Sequence, residues 1–259
     1  MPSLYIPHGG GPAFFMQGPM RTMFQPMSDY LAAIGETLPA RPKGILLITA
    51  HWEAPVATLT GGAAPGLIYD YGGFPPETYK LTYPAPGDPV LANRAATLLR
   101  DAGIMSRIDA DYGWDHGVFI PLKVMYPAAE IPVVAMSLQR GLEPRAHLAM
   151  GEALAPLRDE GVLILGSGMS YHNMNRIMNG SDDSAAFDSW LDQALAGNRA
   201  RRTEQLANWS TAPSGRAAHP REEHLLPLMV AAGAGSDRPA RKTWQGEVGT
   251  SRVSAWAFD

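Results

Sequence analysis

Seven histidines stand in this chain, and five of them occupy places where a side chain is offered rather than packed away. His8 lies in Pro7-His8-Gly9-Gly10-Gly11-Pro12, a loop too rich in glycine to be helical. His51 follows an apolar run at once, in Ala50-His51-Trp52-Glu53. His172 follows another, in Gly166-Ser167-Gly168-Met169-Ser170-Tyr171-His172-Asn173. His116 sits in Trp114-Asp115-His116-Gly117, and His224 in Glu222-Glu223-His224-Leu225-Leu226-Pro227-Leu228. Neutral imidazole suits Zn, Fe, Cu and Ni, so histidines drawn together from these places would form a transition-metal site. Glu53, Asp115, Glu222 and Glu223 could add a carboxylate ligand or accept the second ring N–H of a ligating histidine. His147, on a helical pattern, and His219, in a polar loop before Pro220, read as packing residues. No two histidines share a tight motif such as HExxH, so spacing alone does not choose the metal or the roles.

Other chemistries fit less well. With no cysteine there is no disulfide, thiolate metal site, iron–sulfur cluster or cysteine nucleophile. Gly166-Ser167-Gly168 does not match the G-x-S-x-G nucleophile elbow. Gly9-Gly10-Gly11 lacks both the dinucleotide-binding spacing and the lysine of a phosphate-binding loop. A net charge of −4, with no basic cluster beyond Arg199, Arg201 and Arg202, argues against nucleic acid as a partner. No apolar run approaches the ~18 residues of a membrane helix. The start, Met1 to His8, lacks the basic and apolar stretches of a signal peptide. The expectation is a cytoplasmic protein.

The elements that would position the histidines are short. Ile45–Thr49, Ile131–Leu138 and Val162–Leu165 are apolar at nearly every position, as strands covered on both faces are. Gly249–Phe258 alternates instead and reads as an edge or half-exposed strand. Asp88 as N-cap and Pro89 at the first turn open a helix whose leucines and alanines recur to Ala102, with Gly103 as its stop. Arg145–Arg158 and Ala185–Trp209 also read as helices, the second polar and peripheral. Strands alternating with helices predict an α/β fold with a mostly parallel or mixed central sheet. Ligands in such sheets bind beyond the carboxyl ends of the strands, where His51 and His172 fall. The 27 glycines and 23 prolines are spread without a period or linker, so residues 1–259 are expected to form a single domain with many tight turns.

Seven motifs in order carry a resemblance over nearly the whole chain. They are Pro7–Pro12, Ala50–Glu53, Tyr71-Gly72-Gly73-Phe74-Pro75, Tyr83-Pro84-Ala85-Pro86-Gly87, Asp115–Gly117, Ser167–Asn173 and Glu223–Leu228. The set resembles the class III extradiol ring-cleavage dioxygenases, in the branch that includes 4,5-DOPA extradiol dioxygenase. The resemblance implies a three-layer α/β/α domain, one non-haem Fe(II) or Zn(II) per chain, and O2-dependent opening of a catechol, a small aromatic diol. It places His8, His51 and His224 at metal-ligand positions. His172 falls at the active-site base, or a fourth ligand in zinc-bound members, and His116 at a second catalytic histidine near substrate and O2. Better-known class III enzymes use two histidines and a glutamate; here the third ligand position is His224. Gly10-Gly11 also replaces the Ser-Pro found in many relatives, at the expected pocket entrance. Tyr69, Tyr71, Phe74 and Trp114 are candidates to flank the substrate ring. The competing function is a zinc-dependent hydrolase or amidase on the same histidines, with Glu53, Glu222 or His172 as base.

Overall fold

The computed structural model describes residues 1–177 and 183–259. In chain order the strands are β1 (Ser3–Pro7), β2 (Gly44–Ala54), β3 (Ala57–Thr60), β4 (Ser106–Asp109), β5 (Val133–Gln139), β6 (Val162–Gly168), β7 (Arg241–Val248) and β8 (Ser251–Phe258). The described α-helices are α1 (Pro19–Thr37), α2 (Pro89–Asp101), α3 (His116–Met125), α4 (Pro144–Leu154), α5 (Pro156–Asp159), α6 (Met174–Ile177), α7 (Asp183–Leu195), α8 (Arg199–Ala207), α9 (Gly215–Ala218) and α10 (Leu226–Ala234). The strands form one mixed sheet in the order β4-β3-β5-β2-β6-β1-β8-β7. Its central block, β5-β2-β6-β1, is parallel. β3 and β8 flank that block antiparallel to it. The block carries the apolar runs, and Ile45 to Ile48, Val133 to Leu138 and Leu163 to Leu165 are fully buried.

Alternation along β6 defines the three layers, because successive side chains of a strand point to opposite faces. A side chain at Gly166 would strike the carbonyl of Pro227 in α10. The hydroxyl of the next residue, Ser167, instead donates to the carbonyl of Gly117 in α3. α10 thus covers one face together with α4 and α8, and α3 covers the other together with α1. No helix among the described residues is long and apolar enough to cross a membrane.

Several local expectations need correction. The helix expected over Arg145–Arg158 breaks at Pro156, whose ring has no N–H to continue the ladder. The one expected over Ala185–Trp209 is two, because Asn198 caps a new helix by accepting from the backbone N–H of Arg201 at 3.0 Å. That second piece is not simply peripheral. Arg202 is buried, and its guanidinium donates to the carbonyls of Arg238 and Ser236, tying down the chain beyond α10. β8 is neither an edge nor half exposed: it lies between β1 and β7, and α7 packs on it. Its alternation reflects two buried environments, with Trp256 stacked on Tyr5 and Val253 in the core. Asp88 does cap α2, accepting from the N–H of Leu91 at 2.9 Å.

Candidate metal centre

The carboxyl ends of β1, β2 and β6 open on one rim, and five imidazoles meet there. His8 follows β1 directly, and its N–H bonds the carbonyl of Gly168 at the end of β6 at 3.1 Å. His51 does not lie beyond its strand, as the sequence suggests, but within β2, where the pairing with β5 slips between Ile48 and Glu53. Such an irregularity bends a strand and re-aims a side chain. His116 is the first residue of α3. His224 lies in the turn before α10, and its carbonyl accepts from the Tyr5 hydroxyl at 2.7 Å and from the Met169 N–H at 3.1 Å. The centroids of His8, His51 and His224 are 4.9 to 5.2 Å apart. His116 lies 3.9 Å from His51, and His172 stacks on His224 at 3.3 Å.

Two glycines make this crowding feasible. A Cβ on Gly117 would fall 2.7 Å from the Thr49 hydroxyl and 2.9 Å from the His51 ring. One on Gly168 would fall 2.2 Å from the carbonyl of His224.

Behind the imidazoles stands a set of acceptors. Asp70 takes the backbone N–H of His116 at 2.8 Å and its Nδ1–H at 2.9 Å, and its other oxygen faces His51 Nδ1 at 3.5 Å. Glu223 accepts from His224 Nδ1 at 2.9 Å and lies 3.5 Å from His172 Nδ1. The Ser167 hydroxyl spends its proton on Gly117, so it must accept from His8 Nδ1, 3.2 Å away. These partners assign the tautomers: Nδ1 carries the hydrogen, and Nε2 is the free lone pair. The Nε2 atoms of His8 and His51 then face each other at 3.2 Å. Two lone pairs at that distance call for a cation or a proton between them. Nitrogens each about 2.1 Å from one ion sit about 3.0 to 3.4 Å apart, so a transition metal fits the gap.

Electrostatics agree with that donor set. Burial, and then the charge that neighbouring imidazoles would carry, holds His8 well below the usual histidine range. The same causes bring His51 down to about 2. Burial brings His224 down to about 4, although the Glu223 hydrogen bond works against it. All three are neutral at pH 7, as ligands must be. Burial alone would raise Glu223 and Asp70, but hydrogen bonds from their imidazole partners outweigh it and hold both carboxyls below their ordinary values. Asp115, fully buried and near Asp70, is pushed up to about 6. His8, His51 and His116 form one group whose nitrogens could share an ion, and His172, Glu223 and His224 form another.

The imidazoles line one end of a cavity of about 340 Å3. Tyr71 and Phe74 are on its wall, but Tyr69 and Trp114 are not. Tyr69 packs edge-on behind Tyr71. Trp114 is fully buried beside Tyr83. Its backbone instead bonds Gly66 and Ile68 at 2.8 Å each, which draws the Asp70 loop against His116. Of the four carboxylates expected near the ligands, only Glu223 touches an imidazole. Glu53 and Glu222 pair with Arg221 and Arg216, and Asp115 bonds Thr49. The sequence reading missed Asp70, whose setting between two tyrosines carries no motif, and Ser167, which it weighed only as a nucleophile. His147 and His219 lie elsewhere, buried and bonded to backbone.

Comparison with known proteins gives one answer. Residues 2–257 match the family model described as the catalytic LigB subunit of aromatic ring-opening dioxygenase. A 4,5-DOPA dioxygenase extradiol of Portulaca grandiflora is 40% identical over 231 residues, covering 85% of this chain and 83% of that protein. One of Escherichia coli is 34% identical, covering 90% and 85%. The crystal structure of an uncharacterized protein from Escherichia coli K12 superposes over both whole chains with a TM-score of 0.81 at 29% identity.

Proposed function

Since the chain belongs to the LigB family of aromatic ring-opening dioxygenases, we propose that residues 1–259 form one catalytic domain that opens the ring of a small catechol with O2. The observation that carries this reading is the pair of facing Nε2 lone pairs at the rim, backed by Asp70, Ser167 and Glu223 and open to an aromatic-walled cavity. His8, His51 and His224 would hold the metal, proposed as Fe(II). Bound there, it would acidify a catechol hydroxyl and pass electron density between diol and O2, which redox-inert zinc cannot do.

The chain's own residues do the rest. His172 lines the cavity beside His224, and its Nδ1 faces Glu223, so its Nε2 is the atom that takes a hydroxyl proton. Glu223 stabilises the imidazolium that results. His116, held at Nδ1 by Asp70, turns its Nε2 lone pair into the cavity as a hydrogen-bond acceptor for a hydroxyl of the bound diol. Tyr71 and Phe74 confine the ring, and their apolar faces exclude water that would compete for the reacting atoms. Of the three bases named for a hydrolase, Glu53 and Glu222 are tied to arginines and only His172 lines the cavity. The test is O2 uptake with a panel of catechols after anaerobic Fe(II) loading, with metal analysis alongside. Uptake that needs both catechol and Fe(II) is expected; no uptake with any catechol overturns the proposal.

A further inference from the structure

Away from the histidines, the cavity changes character. Its far wall is Met20, Met23 and Phe24 from α1, Met174 and Ile177 from α6, and Val248 from β7. Among the described residues, no lysine, arginine, aspartate or glutamate lines it. The nearest cations in sequence are engaged: Arg21 with the Phe14 carbonyl and the Ser28 hydroxyl, Arg176 with Asp183, and Arg221 with Glu53 and Glu223. Asp70 sits behind the imidazoles and spends its oxygens on His116 and His51, and Glu223 spends one oxygen on His224 and the other on Arg221. A catechol anchored by its hydroxyls at the histidine end must direct a ring substituent toward this wall. A carboxylate or ammonium placed against the buried part of this wall, Phe24, Ile177 and Val248, would shed its water without gaining a partner, which is costly. A hydrocarbon substituent would bury apolar surface at a gain, and methionines adapt to irregular shapes.

We infer that the cavity selects catechols whose ring substituent is uncharged and apolar, such as an alkylcatechol, over those bearing an acid or an amine. DOPA, which appears in the names of several relatives, carries both charges. The inference rests on the catechol reading above and narrows its substrate class.

The experiment compares side chains of similar size. Propylcatechol, dihydroxyphenylpropionate and dopamine are titrated into Fe(II)-loaded protein under nitrogen by calorimetry, and their kcat/KM values are then taken from O2 uptake. Propylcatechol should bind and react about 100-fold better than either charged analogue, the scale on which a site rejects a group it leaves unpaired. Equal or better binding of the charged analogues overturns the inference while leaving ring cleavage intact. The binding preference without O2 uptake supports the inference and sinks the catalytic reading instead. In Met174→Arg, altered at an exposed position of the wall (63% accessible), the ratio should move about tenfold toward dihydroxyphenylpropionate. A ratio that stays put overturns the inference.

Discussion

His147 is as deeply buried as His8, yet the two imidazoles spend their nitrogens differently. At His147, Nδ1 donates to the Glu143 carbonyl at 2.8 Å and Nε2 accepts from the Gln139 N–H at 3.1 Å, so the ring is consumed in joining α4 to the end of β5. His219 bonds the Ser170 carbonyl and otherwise meets the rings of Phe187 and Trp209. At the rim, His8, His51, His116 and His224 are held from behind through Nδ1, and Nε2 is left toward a shared space. Burial lowers the pKa of His8, His51 and His224 at the rim and of His147 and His219 elsewhere. His219 also keeps a lone pair unspent, at Nδ1, so what separates a metal centre from a structural histidine is several such lone pairs turned to one shared space by the acceptors behind them.

If that contrast is right, replacing a rim histidine should disable chemistry and replacing a structural one should cost stability. His8→Ala, His51→Ala or His224→Ala should lower bound metal and kcat/KM by more than about 100-fold, beyond what outer partners are worth. Each apo variant should unfold no more easily than the parent, since it relieves crowded lone pairs. Metal analysis and denaturant melts read the two effects. Asp70→Asn and Glu223→Gln test the acceptors, and metal affinity should fall by about 10- to 100-fold with the fold retained. Unchanged affinity in both would break the comparison.

Acid should expose the neutral state of both kinds. A histidine with a lowered folded pKa binds its proton more readily when unfolded, so stability falls as pH drops below the unfolded value near 6.5. For His51, near 2, and His219, near 3, the loss from pH 7 to pH 5 is about 2 kcal/mol each. Asp115, raised to about 6, has the opposite sign and offsets about 1 kcal/mol over that range. The apoprotein should therefore be less stable at pH 5 than at pH 7 in urea titrations, and saturating metal should deepen the difference, since it binds only the deprotonated ligands. The smallest effect belongs to His147→Leu. It strands the Gln139 N–H and the Glu143 carbonyl for about 1–3 kcal/mol and should leave kcat unaltered.

Much of the frame was readable in advance. Ile45–Thr49, Ile131–Leu138 and Val162–Leu165 announced the buried parallel block because strands covered twice need no alternation. The cap at Asp88 was readable because its chemistry is local. The helix breaks at Pro156 and Asn198 were local too, but an amphipathic pattern running through them hid them. β8 was misread because its serines face a buried layer, where the Ser170 hydroxyl bonds the backbone of Ser254, and polarity alone does not report exposure. In the site, the histidines in glycine-rich or strand-end settings stood out, whereas Asp70 did not. Its role depends on a bridge between Leu67 and Trp114, segments far apart in the chain. Trp114, offered as a ring-flanking residue, serves that bridge through its backbone while its side chain turns into the core.

The sequence by itself determined the kind of chemistry: without cysteine, a transition-metal site had to draw on imidazole, with carboxylate as the other donor at hand. It also determined that a sheet would exist to carry those imidazoles, since apolar runs must be buried whatever their neighbours. Only the tertiary structure decided which histidines meet, which way each ring is turned and what backs it. Those outcomes depend on the parallel register of three strands and on close approaches at Gly117 and Gly168. Distances between elements are set by packing and hydrogen bonding across the sheet, and spacing along the chain does not contain them.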